Sequence, residues 1–186
     1  MKELLEQQKK EEEEKRLEEE RLQREFERKG YVPYFIRLRL LLGSVSSGET
    51  KVGSNTFQVI WKEYGIGMNQ MTYKTKSSAN NDYSMSNSTM DLSYTYGEGW
   101  TITGGIGFVT GGSGEITLGS SGTKYKSNGV SGNGVFGIGG MEWESYEGLI
   151  GIRYDSLKYS GFKSQSTLQS HTLNEIYAIS GLQILF

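Results

Sequence analysis

Between about residue 33 and Phe186 the side chains alternate with a period of two, and the two faces so defined differ in kind. Period two belongs to the extended strand, whose successive side chains leave the backbone on opposite sides. The first run, about 33–43, sets Tyr34, Ile36, Leu38, Leu40 and Leu42 against Phe35, Arg37, Arg39 and Leu41. A second, about 55–62, carries Phe57, Val59 and Trp61 on one side, and a third, about 66–76, alternates only weakly. The fourth, about 82–96, sets Met90, Leu92, Tyr94 and Tyr96 against Thr89, Asp91, Ser93 and Thr95. The fifth starts at Trp100 and aligns it with Ile102, Ile106 and Phe108, and the sixth, about 123–142, carries Phe136 and Ile138. The seventh, about 148–162, sets Ile150, Ile152 and Tyr154 against Gly151, Arg153 and Asp155. The eighth, about 170–186, sets Ile176, Ala178, Leu182, Ile184 and Phe186 against Glu175, Tyr177, Ile179, Gly181 and Gln183. Eight such strands joined by turns predict an all-β, antiparallel up-and-down sheet closed into a barrel.

Arg37, Arg39, Asp91, Arg153, Asp155 and Glu175 all fall on the polar faces. In a soluble barrel those charges point to water around an apolar lumen. In a membrane barrel the assignment inverts, with apolar faces on lipid and the charges forming an interior network. Alternation alone does not choose between the two. Nor does the mean hydropathy of −0.52, because alternating strands average low. No apolar run reaches the length of a membrane helix.

Three features favour the membrane. An eight-stranded meander brings both of its ends, and the turns near 62–65, 97–99 and 143–147, to one rim. Tyr34, Trp61, Tyr64, Tyr96, Trp100, Trp143, Tyr146 and Phe186 gather there, as an interfacial aromatic girdle would. Tyr73, Tyr83, Tyr125, Tyr159 and Phe162 suggest a looser second ring at the opposite rim. The connections expected at that rim, 43–55, 77–82, 119–122 and 161–170, are rich in Gly, Ser, Asn and Thr and read as longer outer loops. The third feature is the end of the chain, Gly181-Leu182-Gln183-Ile184-Leu185-Phe186.

That ending resembles the terminal assembly signal of the small bacterial outer-membrane β-barrel superfamily, in which Gly, an apolar residue and a final aromatic keep the spacing of Gly181, Ile184 and Phe186. The position two before the Gly, usually polar in that pattern, is Ile179. Over residues 31–186 the resemblance implies an eight-stranded transmembrane barrel in the outer membrane of a Gram-negative cell. It also implies contact with membrane lipid and recognition of the last strand by the outer-membrane assembly machinery.

Residues 1–30 differ in character. They hold nine basic and eleven acidic residues of the chain's 20 and 22, so the remainder is balanced at eleven of each. Glu precedes a basic residue by four at Glu6/Lys10, Glu11/Lys15, Glu12/Arg16, Glu20/Arg24 and Glu25/Lys29, the spacing that supports a helix. A charged α-helix over 2–29 is expected, ended by Gly30 and Pro33. Leu4, Leu5, Leu17, Leu22 and Phe26 make no continuous stripe, so the segment reads as a periplasmic spacer or as a coiled coil for a periplasmic or cell-wall partner. Residues 1–20 lack an apolar core and a small-residue cleavage site, and are not read as a secretory signal.

Little else in the chain suggests chemistry. It has no Cys and one His, which argues against a metal centre. His171 lies near Ser160, Ser164, Ser166 and Ser170 but reads as a solvated loop residue. The Gly-rich stretches open no helix, so no phosphate loop is expected. The net charge of −2 offers nothing to nucleic acid. The sequence therefore predicts no enzyme and no cofactor. A structural or interaction protein of the outer membrane is the leading expectation, with a narrow pore or carrier as one alternative and a soluble lipocalin-like ligand carrier as another. An eight-stranded barrel is just wide enough for side chains to fill it, which favours a plugged lumen over a water-filled path.

Overall fold

A computed structural model of the chain describes residues 15–17, 36–77, 80–97, 99–143, 145–164 and 167–186. The chain divides into two units, Met1–Pro33 and Tyr34–Phe186. In the first, residues 15–17 are helical; the rest of the expected 2–29 helix, its end at 30–33, and Tyr34 lie outside the described residues.

The second unit is an antiparallel ring: β1 Ile36–Ser47, β2 Thr50–Trp61, β3 Tyr64–Lys76, β4 Asp82–Tyr96, β5 Trp100–Thr117, β6 Lys124–Ser127, β7 Gly129–Trp143, β8 Tyr146–Ser164 and β9 Thr167–Leu185. Apart from β6 and β7, each strand pairs with the next, and β1 closes on β9 from Arg37 opposite Leu185 to Ser44 opposite Ala178. β6 and β7 together form one stave between β5 and β8, so the ring has eight staves. The single sixth strand expected over 123–142 is broken after Ser127, whose hydroxyl accepts the Gly129 N–H at 3.1 Å and donates to the Ser160 carbonyl.

Two of the expected outer loops are strand. β1 and β2 run on through 43–55 to a two-residue turn where Gly48 has φ +58°. β8 and β9 run on through most of 161–170, past a bulge at Gly161 with φ +72°. The other two expected outer loops are connections between strands, over 77–81 and 118–123, longer than the girdle-rim turns at 62–63, 97–99 and 144–145. On β1 and β2, Ser44, Ser46 and Asn55 are exposed on the outward face, while Val45, Val52 and Ser54 face inward.

Each strand changes character along its length. Toward the rim that holds the strand ends Ile36 and Leu185, hereafter the girdle rim, outward residues are apolar: Leu40 and Leu42, Phe57 and Val59, Ile66 and Met68, Met90 and Leu92, Ile102 and Phe108, Ile150 and Ile152. Inward residues at those levels are mixed: polar Arg39, Gln58, Asn69, Asp91, Thr103 and Gln183 stand among buried apolar Leu41, Ile60, Phe136, Ile138 and Leu149. Toward the far rim the order reverses. Outward positions become Gln70, Thr72 and Lys74 on β3 and Ser88, Ser86 and Ser84 on β4. Inward positions become Met71, Met85, Ile116, Leu157, Phe162 and Leu173, which form the hydrophobic core. Tyr73, Tyr83, Tyr125, Tyr159 and Phe162 belong to this interior packing and do not form a second outward ring. At about 3.3 Å per residue and a tilt near 40°, the span from Trp100 to Phe108 rises roughly 20 Å, against about 25 Å for the apolar band of a membrane barrel. By the same arithmetic the 19 residues of β8 rise roughly 50 Å, so the strands overshoot the band widely.

Residues 51–56 are paired on both sides, with β1 and with β3. Their amides should exchange with deuterium as slowly as those of 57–61 in the detergent-solubilised protein. Exchange of 51–56 within seconds, as in a loop, would show that the barrel ends at the apolar band.

Candidate functional site

The lumen is closed by two layers of polar side chains. Arg39 on β1 is fully buried and reaches across to four other staves. Its Nε donates to Gln183 Oε1 at 3.0 Å, its Nη1 to Gln58 Oε1 at 3.2 Å, and its Nη2 to Thr103 Oγ1 at 3.0 Å and Thr95 Oγ1 at 3.5 Å. Glu147 accepts from the Thr101 hydroxyl and from the Gln183 amide, so Gln183 links the cation to the carboxylate. Arg37 lies 4.0 Å from Glu142 at the girdle-rim mouth of this layer.

The second layer centres on Arg153. Its guanidinium grips Asp91 with two bonds, Nη1 to Oδ2 at 2.6 Å and Nη2 to Oδ1 at 3.1 Å, the planar fork that suits a carboxylate. Its Nε donates to both oxygens of Asp155 at 3.0 Å, and its Nη2 to the Thr89 hydroxyl at 2.9 Å. The Tyr177 hydroxyl donates to Asp155 at 2.6 Å, and Phe136 lies 5.4 Å from the guanidinium carbon. β4, β8 and β9 are thereby tied together across the barrel.

Interior glycines make room for this chemistry. A Cβ at Gly107 would stand 2.6 Å from both Arg153 Nη2 and Asp91 Oδ1. One at Gly134 would collide with Asp155, and one at Gly140 with Glu147. The strand phase of these glycines is the signal by which the carboxylate positions could have been found. Gln58, Asn69 and Glu147 were not read from the sequence as lumen residues, Glu147 because it stands beside a turn, and Gln183, on the expected inward face, was not assigned to the charge network.

The structure brings Arg153, Asp91 and Asp155 into one cluster, and places Arg37 and Arg39 in the layer nearer the girdle rim. Glu175 was expected among them and is not joined. It stands opposite Asp155 on β9, only partly buried, with no ion pair to the network. The cause is local: β1 pairs with β9 only as far as Ala178, so β9 at Glu175 has an open edge toward solvent.

Trp61, Tyr64, Tyr96, Trp100, Trp143, Tyr146 and Phe186 all point outward at the girdle rim, with Tyr96 and Trp100 each 73 % exposed. The pairs Trp61/Tyr64 and Trp143/Tyr146 face each other across their turns. Phe186 is held by its N–H donating to the Ile36 carbonyl at 3.1 Å. Ile184 faces outward, whereas Gly181 sits where a Cβ would collide with the Leu40 carbonyl of β1. At the far rim, the His171 ring lies 5.0 Å from that of Tyr83, and burial pushes its pKa below the usual histidine range. Among the described residues no hydrogen bond joins it to a serine or a carboxylate.

No family model matches the chain, and no curated protein does. Among solved structures it is similar to Neisserial surface protein A, NspA, at 12 % identity and a TM-score of 0.54, covering 81 % of this chain and 96 % of that one. It also aligns with Ail, the attachment invasion locus protein of Yersinia pestis, at 9 % identity and a TM-score of 0.48, covering 80 % and 96 %. The likeness to NspA is one of fold: the chain is built as a small outer-membrane β-barrel.

Removing one partner of a buried, hydrogen-bonded ion pair strands the other charge and typically costs about 3–5 kcal/mol. Arg153→Ala should destabilise the barrel by that order in urea unfolding from lipid vesicles. Joint replacement of Arg153 by Met and of Asp91 and Asp155 by Leu should recover most of the loss. A loss under about 1 kcal/mol for Arg153→Ala would mean that water solvates this layer.

Proposed function

We propose that this chain is an integral protein of the bacterial outer membrane with a plugged lumen and a structural or interaction role. The observation that carries this reading is the placement of apolar side chains outward and charged ones inward on the same stretch of strand, above a rim of outward Trp and Tyr. A soluble carrier needs the reverse, an apolar lumen and a polar exterior along the whole barrel. Arg39 and Arg153 each span the lumen, which leaves a solute no straight path and supports interaction over conduction. The girdle rim faces the periplasm in this reading, and the far rim projects from the cell. Residues 1–30 then stand on the periplasmic side, where a charged helical segment can meet a cell-wall or periplasmic partner.

Gly181, Ile184 and Phe186 supply the feature that the assembly machinery reads. Phe186 is 63 % exposed, so its ring contributes little to packing within the protein. A girdle role alone is worth about 1.5–3 kcal/mol at most, by area. Expressed behind a secretion signal in a Gram-negative host, the wild-type chain should fractionate with outer membranes, resist carbonate extraction and run heat-modifiably. Phe186→Ala should be depleted from that fraction yet refold normally in detergent. A wild-type chain released by carbonate sinks the membrane reading, and a Phe186→Ala barrel present at normal levels sinks the signal.

A further inference from the structure

Above the apolar band the outer wall is basic. Among the described residues, Lys51, Lys74, Lys76, Lys124, Lys126, Lys158 and Lys163 are exposed there, against exposed Glu49 and Asp82 and partly buried Glu115 and Glu175. Two pairs of these lysines stand directly opposite each other on neighbouring strands, Lys51 with Lys74 and Lys126 with Lys163. Like charges directly opposite on a sheet face are destabilising, and a sheet shaped only for its own stability would set a carboxylate in each pair. Lys76 has Asp82 at 3.9 Å. Lys124 and Lys126 share Glu115, at 2.9 and 3.7 Å. The hydrogen bond from Lys124 holds the Glu115 carboxyl below its usual range, so it stays ionised. Lys51, Lys74 and Lys163 have no carboxylate within ion-pair distance among the described residues.

Between the two like-charged pairs the wall is concave. A groove of about 440 Å³ is lined by Lys74, Ser84, Ser86, Ser113, Glu115 and Lys126, among others. Ser86 and Ser113 share a hydrogen bond of 3.1 Å across β4 and β5. The groove is therefore a floor of hydroxyls with a lysine on each flank, and its lysines outnumber its carboxylate. Its height decides what reaches it. On β3 the outward series runs Ile66, Met68, Gln70, Thr72, Lys74, and on β4 it runs Leu92, Met90, Ser88, Ser86, Ser84. The groove begins two outward positions beyond the last apolar side chain, at the level of lipid headgroups. Hydroxyls suit a sugar, lysines suit phosphate, and a surface at this height meets lipid before it meets any soluble anion.

We propose that Lys51, Lys74, Lys126 and Lys163, with the serine floor between them, bind the phosphorylated sugar headgroup of an outer-leaflet glycolipid. The ligand neutralises the two like-charged pairs and moors the overshooting strands to the leaflet. This rests on the membrane reading above.

The test uses the full chain in phosphatidylcholine vesicles, first without and then with bisphosphorylated lipid A as the probe. The amount of lipid A that stays with the purified protein through detergent exchange is measured by mass spectrometry. The wild type should retain lipid A and should lose the fully dephosphorylated form. The quadruple variant K51Q/K74Q/K126Q/K163Q should retain it about a hundredfold less, while the same four sites changed to Arg should keep it. Both variants should remain heat-modifiable, since the four side chains are exposed and the ion pair of Lys126 with Glu115 lies at the surface. Equal retention of dephosphorylated lipid A, undiminished retention by the Gln variant, or inorganic phosphate binding as tightly as lipid A each overturns the headgroup site. A wild-type chain that does not enter phosphatidylcholine vesicles overturns the membrane reading itself, and this one with it.

Discussion

A backbone N–H in hydrocarbon has no water to bond to, and a strand satisfies its own only by pairing on both edges. Closure of β1 on β9 meets that demand from Arg37 to Ser44, the stretch of β1 whose outward residues are mostly apolar. Beyond Ala178 the seam is unpaired, and there the outward residues of β9 are Ile176 and then Asn174 and Thr172. The barrel is thus sealed through its apolar stretch except at the level of Ile176, and open-edged beyond it where its surface turns polar. Everything else about the molecule follows from strands that must satisfy one solvent below this boundary and another above it.

Below the boundary the interior combines buried apolar side chains, Leu41, Ile60, Ile138 and Leu149 among them, with two layers of charge. Taking a guanidinium out of water is costly, and Arg153 offsets that cost with two carboxylates, a hydroxyl and an aromatic face. Arg39 does so with neutral amides and hydroxyls, its link to Glu147 passing through Gln183. Above the boundary water wets the outside, and an ordinary apolar core of Met71, Met85, Leu157 and Phe162 returns. One chain therefore joins an inside-out barrel to a conventional one end to end.

That join explains what could be read from the sequence and what could not. Arg37, Arg39, Asp91 and Arg153 were legible as inward residues because each sits between outward apolar neighbours, and Asp155 because it keeps the phase of Arg153. Their partners were not, because Gln58, Thr103 and Gln183 meet Arg39 through a register that alternation does not encode. Residues 43–55 and 161–170 looked like loops because an outward face of Ser, Gly and Asn is loop-like in composition, although it is what a strand above the membrane requires. Tyr73 and Tyr159 looked like a second girdle because the inward face, polar at Asn69 and Asp155, has become apolar by the time the strands reach them. Glu175 looked like a lumen charge because the point where β1 parts from β9 is invisible in a single strand's pattern.

The central claim is that a single level along the strands separates lipid from water, between Met68 and Lys74 on β3 and between Tyr154 and Lys158 on β8. The chain has no Cys, so single cysteines can be placed and spin-labelled without background. Labels at 66, 68, 70, 72, 74, 152, 154, 156 and 158 in a reconstituted bilayer would be compared for collision with oxygen, which partitions into lipid, and with a water-soluble nickel chelate. The account predicts oxygen-dominated labels at 66, 68, 152 and 154 and chelate-dominated labels at 74 and 158, with the crossover between them on both strands. Chelate access at 66 and 152, or a lipid signature persisting to 74 and 158, would contradict it.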